Sequence, residues 1–259
     1  MDRNDPIIII GMHRSGTTLL SSILEHNGVC MGKRKESNNE SHFFLKLNEK
    51  LIGHLGFKWY DLYGFNHSSF NKNAFTFLQK HIFSKNLKRY FGDCEYWGWK
   101  DPRTTLFVKE YLEIFPNAKV IHIVRNPIDV SNSLIRRQKN IEVKNLLLKF
   151  LRKSNNMIRF GYTVENNYNL KNHKKNLELW RTYVQAGLES KKSLVIRYED
   201  LILSPDNTIL KISEFLGLKI NFDETVLRSG RAKKGLIPFK KEDEIFQIIP
   251  FNLLESLGY

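Results

Sequence analysis

The first residues that could do chemistry are Arg14, Ser15, Gly16, Thr17 and Thr18, in a loop bounded by Gly11 and Gly16. A glycine-framed turn leaves backbone N–H groups pointing outward at the positive end of a helix dipole. With an arginine and three hydroxyls beside it, such a turn can grip a phosphate or a sulfate. A second set stands at Arg125 and Ser133. A guanidinium fork and a serine hydroxyl suit a second anionic group on the same ligand. Each place has a plainer alternative: an ordinary Gly/Ser turn at the first, and at the second an Arg125–Asp129 pair that only closes the turn.

The elements that must position these groups are legible around them. Ile7 to Ile10, four β-branched residues in a row, make a buried strand, and Leu19, Leu20, Ile23 and Leu24 recur at helical spacing from Gly16 to about Asn27. A second strand, Ala118 to Val124, runs into Arg125-Asn126-Pro127 and a helix from Ile128 to about Gln138, with proline in its first turn. Ser193 to Tyr198 is the third clear strand, followed by a helix over Asp206 to Leu216. Tyr96 to Lys100 reads as a short strand ended by Asp101-Pro102, since a residue before proline is held extended. Further helices are expected over Phe43–Gly56, Ala74–Tyr90, Thr105–Phe115 and Leu177–Leu188. Strand and helix alternate, which predicts an α/β fold with a central, mainly parallel sheet flanked by helices. Arg125 then lies at the carboxyl end of its strand, where open parallel sheets bind ligands.

The spacing of Gly11 and Gly16 equals that of the nucleoside triphosphate P-loop, G-x-x-x-x-G-K-[ST]. The lysine that would meet the terminal phosphates there is Thr17 here, and the loop's cation enters instead from Arg14. The usual machinery for magnesium-ATP is therefore missing.

The chain has 259 residues, enough for one large core, and is read as a single domain over 1–259. Lys and Arg number 41 against 27 Asp and Glu, a formal net charge of +14, which favours an anionic partner. Eleven of those cations lie between Arg136 and Asn176 with only Glu142 and Glu165 to offset them. They are scattered among helical leucines without base-stacking motifs, so a solvated face or an anion-attracting rim is expected and nucleic acid is not. Cys30 and Cys94 form neither a disulfide framework nor a zinc site by spacing. Two reduced thiols are expected, one bridge being the alternative. No apolar run is long enough to span a bilayer, and the N-terminus enters the first strand too soon for a signal peptide, so a cytoplasmic location is expected.

Arg14-Ser15-Gly16-Thr17-Thr18 after one buried strand, with Arg125-Asn126-Pro127-Ile128-Asp129-Val130-Ser131-Asn132-Ser133 after another, resembles the paired cofactor signatures of the sulfotransferases that use 3′-phosphoadenosine 5′-phosphosulfate (PAPS). The first is similar to their 5′-phosphosulfate loop, the second to their 3′-phosphate motif. Arg197-Tyr198-Glu199-Asp200-Leu201 resembles the family's strand-end R-Y-E-D-L, and Trp99-Lys100-Asp101-Pro102 the K-D-P segment of its protein-tyrosine and bacterial carbohydrate branches. The resemblance implies a P-loop-like α/β fold and PAPS as donor, with no metal. Arg14 would meet the bridging oxygen and the departing phosphate, with Ser15, Gly16, Thr17 and Thr18 around the 5′-phosphate. Arg125 and Ser133 would hold the 3′-phosphate, Tyr198 would lie near the nucleotide, and Lys100 by the transferring group.

The resemblance also implies a histidine or glutamate base, and in the glutamate branches it lies after the first helix. Glu36 and Glu40 are there, and Glu40 is preferred because it immediately precedes the Phe43-Phe44 helix, although a carboxylate in that place could be only a cap. His42 is the other candidate base, whereas His122 lies inside a strand and is expected to be core. Arg231-Ala232-Lys233-Lys234-Gly235 loosely matches a basic segment that closes on the 3′-phosphate. Helical insertions at about 41–92 and 139–190 would form the acceptor side. Trp59, Trp97 and Trp99 could stack on a sugar or be core. The acceptor implied is a hydroxyl, of a carbohydrate or glycan-like metabolite. The competing readings are a P-loop small-molecule kinase and a non-catalytic basic module that binds nucleic acid or glycan.

Overall fold

A computed structural model describes residues 5–65, 72–83, 87–154, 168–222 and 245–259. The segment that would carry Lys233 and Lys234 lies outside the described residues. Four parallel strands, β1 (Ile7–Ile10), β2 (Gly98–Lys100), β3 (Lys119–Val124) and β4 (Leu194–Arg197), form a sheet in the order β2-β1-β3-β4. All four isoleucines of β1 are buried because both faces of the sheet are covered. Ile7 and Ile9 pack with α1 (Thr17–His26) and α9 (Pro205–Leu216), while Ile8 and Ile10 pack with α2 (His42–His54) and α7 (His173–Leu188).

The remaining helices are α3 (Lys72–Phe83), α4 (Leu87–Phe91), α5 (Val108–Ile114), α6 (Pro127–Ser154), α8 (Tyr198–Leu203), α10 (Ile245–Ile248) and α11 (Phe251–Ser256). A 3-10 turn over Pro102–Phe107 precedes α5. The helix expected over Ala74–Tyr90 is described as α3 and α4, residues 84–86 between them lying outside the described residues. Two of these differ from the expectation. The helix after Arg125 runs on to Ser154 instead of ending near Gln138. Tyr198, expected at a strand end, is the first residue of α8.

The cysteines correct the sequence reading. Cys30 and Cys94 are joined in a disulfide, with their Cα atoms 6.2 Å apart. Cys30 pairs beside Trp97, so the chain entering β2 lies against the segment that follows α1 and brings Cys94 within reach. Two distant elements become neighbours through sheet pairing, which the spacing in sequence does not reveal. The expectation of reduced thiols therefore falls. Among the described residues no helix is long and apolar enough to cross a membrane.

Candidate active site

The loop after β1 is backbone-constrained. Arg14 and Asn39 are the non-glycine residues with positive φ among those described, at 75° and 59°, and both lie at this site. Such conformations are costly for a side-chain-bearing residue and cluster where structure is held for a purpose. Gly16, at φ 97°, caps α1 without a side-chain hydrogen bond. A Cβ there would fall 2.3 Å from Tyr198 Cδ2, so glycine is required for Tyr198 to close over the loop.

The two stretches expected to bind anions converge. Arg14 Nε donates to Ser133 Oγ at 2.9 Å, and Arg125 Nη1 donates to the Arg14 carbonyl at 3.3 Å. Arg125 also stacks over the Tyr198 ring at 4.4 Å. It pairs with Asp129 as well, at 3.5 Å, so the turn-closing contact and the place in the crevice coexist. Ser15 Oγ and Arg125 Nε are buried without hydrogen-bond partners among the described residues. Orphaned buried polar atoms are costly, and two beside an uncapped helix start fit an anionic ligand.

The strand-end motif explains this placement. Asn126 Oδ1 accepts from the N–H groups of Ile128 and Asp129 at the start of α6, and its own N–H donates to Glu199 Oε1 at 2.9 Å. The Tyr259 hydroxyl donates to the other Glu199 oxygen at 2.9 Å, and Trp180 Nε1 donates to the Arg125 carbonyl at 2.8 Å. Arg197 pairs with Asp200 at 3.0 Å. Glu199 and Tyr198 thus hold the start of α6 from two sides.

On the other side of the loop, Lys100 is buried at the end of β2. Burial pulls its pKa down to about 8, against the opposing pull of Glu40 and Asp101. Its ammonium donates to the Asn38 carbonyl and lies 3.7 Å from Glu40 Oε1. Thr18 Oγ1 donates to the same carbonyl at 3.0 Å, tying the Glu40 loop to the phosphosulfate-type loop. Glu40 itself is 7% exposed, and its pKa is raised by burial first and by the Asp101 charge second.

Of the candidate bases, Glu40 therefore meets Lys100, while Glu36 is exposed and His42 lines an outer groove with Lys33 and Lys46. Trp97 and Trp99 are core, Trp99 stacked on Phe44 at 3.7 Å. His122 is also core, buried against Gly187.

Around Glu40 stand residues that sequence reasoning did not single out. Arg103 Nη1 lies 3.5 Å from Glu40 Oε2 and 2.7 Å from Asp101 Oδ1. Asp101 is held in turn by Asn48 Nδ2 at 2.8 Å, which links the turn to α2. The His13 ring stacks on Trp59 at 4.2 Å, with Nδ1 3.9 Å from Glu40 Oε1. Burial, then the charges of Arg103, Arg137, Lys100 and Arg14, hold His13 well below the usual histidine pKa, hence neutral. The one local signal for these residues was adjacency: His13 precedes Arg14, and Arg103 follows the K-D-P segment.

A model of the sulfotransferase family matches residues 6–224. The chain belongs to the sulfotransferase family. Among solved structures, the sulfotransferase domain from the curacin biosynthetic pathway is 15% identical, with 100% of this chain and 99% of that one covered at a TM-score of 0.53. The sulfotransferase domain of the Synechococcus PCC 7002 olefin synthase is 22% identical, over 98% and 84% of the two chains, at 0.48. Mouse sulfotransferase SULT7A1, solved in complex with PAP, is 17% identical over 88% and 64%, at 0.43. No curated protein sequence matches. The parallel sheet and its flanking helices are the P-loop-like α/β fold of sulfotransferases, and family and fold are those of a transferase enzyme. In this sulfotransferase the crevice at the ends of β1, β2 and β3 gathers Arg14, Ser133, Arg125, Lys100 and Glu40.

Proposed function

We propose that this sulfotransferase moves the sulfuryl group of PAPS directly to an acceptor hydroxyl on a carbohydrate or glycan-like molecule. The observation that carries the reading is the contact of Arg14 with both Ser133 and Arg125, which joins the two anion sites into one crevice. PAPS supplies an activated sulfuryl group on a phosphate leaving group. Ser15, Gly16, Thr17 and Thr18 would hold the 5′-phosphate with the first-turn N–H groups of α1, and Arg125 and Ser133 would hold the 3′-phosphate beside Tyr198. The segments 41–92 and 139–190 would form the acceptor side, with Trp59 as a platform for a sugar ring.

Charge moves onto the bridging oxygen as the S–O bond breaks. Arg14 and Lys100, already in place, stabilise that charge more in the transition state than in the ground state. Glu40 takes the acceptor's proton. Its burial raises its basicity, and its contacts with Lys100 and Arg103 keep it aimed. No covalent intermediate is needed, and positioning contributes much of the rate.

The test is transfer from radiolabelled PAPS with calorimetry of adenosine 3′,5′-bisphosphate (PAP) and of ATP. Tight binding of PAP in preference to ATP, with transfer reduced at least about a hundredfold in Arg14→Ala, is the expected result. Near-normal turnover by that variant, or preference for ATP, would sink the reading.

A further inference from the structure

Arg137 sits one helical turn beyond Ser133 on α6, so both project from the same face of the helix toward the crevice. Its guanidinium lies 5.9 Å from the centre of the Trp59 ring, the ring that also carries His13 at 4.2 Å and Arg103 at 6.0 Å. Arg103 is matched by Asp101, Glu40 and Glu49, the last at 3.6 Å. Arg125 is matched by Asp129. Arg137, partly buried, lies over the face of Trp59 and feels the charge of Glu40, but no ion pair or hydrogen bond within reach holds it among the described residues. Desolvation lowers its pKa, the Arg103 charge adds to that and Glu40 opposes it, yet an arginine keeps its proton at any working pH. A partly desolvated guanidinium without an ion pair is a ready partner for an anion that arrives with a ligand.

The place is on the acceptor side. Arg137 shares Trp59 with His13, whose Nδ1 faces Glu40. A bound acceptor that offers its hydroxyl to Glu40 and lies against Trp59 brings its next substituent to Arg137. Arg14, in the loop after β1, and Lys100, which shares the Asn38 carbonyl with Thr18 of α1, are read as serving the donor. Resting on the reading above, we infer that the acceptor carries a carboxylate or an equivalent anion beside the hydroxyl that is sulfated, and that Arg137 is its docking group. The substrate class is an acidic hydroxyl compound, such as a uronic-acid glycoside, in preference to its neutral counterpart.

Two matched pairs test this on PAP-saturated protein by calorimetry: p-nitrophenyl β-D-glucuronide against the corresponding glucoside, and 4-hydroxyphenylacetate against its amide. KM is measured for any member that turns over. The acid should bind at least about tenfold more tightly than its neutral partner in at least one pair. Arg137→Gln should bring that ratio to near one and Arg137→Lys should restore part of it. The melting temperature of Arg137→Gln should change little, since only the contact with the Trp59 ring and the distant charge of Glu40 are lost.

Equal binding within both pairs, no binding by either acid, or a Gln variant that keeps the ratio overturns the inference. So does a variant that weakens both members alike, which would place Arg137 with the donor. If PAP itself does not bind, the sulfotransferase reading fails separately, and the pairs tested on PAP-free protein still decide whether Arg137 selects acids.

Discussion

Glu40 and Lys100 lie 3.7 Å apart, and the proposed reaction makes opposite demands on them: one would lose its proton to act as base, the other would keep its proton to neutralise charge. Burial works on both, raising Glu40 and lowering Lys100 to about 8. The sign follows for the free enzyme. Activity rises from acid pH as Glu40 ionises, and falls as pH passes about 8 and Lys100 is neutralised. The expected kcat/KM profile is therefore a bell whose alkaline limb sits near pH 8, well below that of an ordinary lysine. A profile flat to pH 10 would remove Lys100 from the chemistry. Glu40→Gln keeps the side chain's shape but abolishes the base, and kcat is expected to fall about 10²–10⁴-fold with PAP binding retained. Wild-type turnover in that variant would leave His13 as the base, its ring already seated against Trp59.

At the scale of elements, the two anion sites depend on how β4 hands the chain to α8. Glu199 accepts from the Asn126 N–H and from the Tyr259 hydroxyl, so it positions the start of α6 without touching a ligand. Glu199→Ala removes the acceptor of the Asn126 N–H and Tyr259 hydroxyl bonds, a cost of about 0.5–1.5 kcal/mol for each bond or more where it is buried, and loosens the hold on Arg125. The expected result is a lowered melting temperature and a raised KM for the donor, with a smaller change in kcat. Loss of kcat with donor KM unchanged would contradict this. Gly16→Ala is a harsher probe. The backbone strain alone is about 1–3 kcal/mol, and the new Cβ collides with Tyr198, so donor affinity and stability should fall together in calorimetry and thermal melts.

Across the whole molecule, the disulfide closes a loop of 64 residues between the first helix and the lead into β2. In the chain-entropy account a loop of that length is worth about 4 kcal/mol. Dithiothreitol should lower the denaturant midpoint accordingly, and Cys30→Ser should abolish the difference between oxidised and reduced protein; identical midpoints would show that the bridge contributes nothing. The net charge of +14 acts over longer range. It attracts a multiply charged anion, so PAP affinity should weaken as ionic strength rises from low salt to above about 0.15 M.

The sequence alone determined the parts that are written in consecutive residues. A β-branched run reads as a buried strand, a glycine-bounded loop before a helix is suited to an anion, and motifs of set spacing carry Arg14, Arg125 and Ser133 with them. The alternation of those units sufficed for a parallel α/β sheet. The length of α6 was not legible because no continuous apolar stripe runs along it. The helix that starts at Tyr198 lay below the resolution of periodicity.

Only the tertiary structure decided which distant residues meet. Strand pairing brings Cys30 to Cys94, and the order β2-β1-β3 sets Lys100 and Arg125 on either side of Arg14. Folding gathers His13, Arg103 and Arg137 around the Trp59 ring, with Glu40 beside His13 and Arg103, from five separate stretches. The physical reason is that local propensity acts over a few residues, whereas charge pairing and ring packing depend on separation in space.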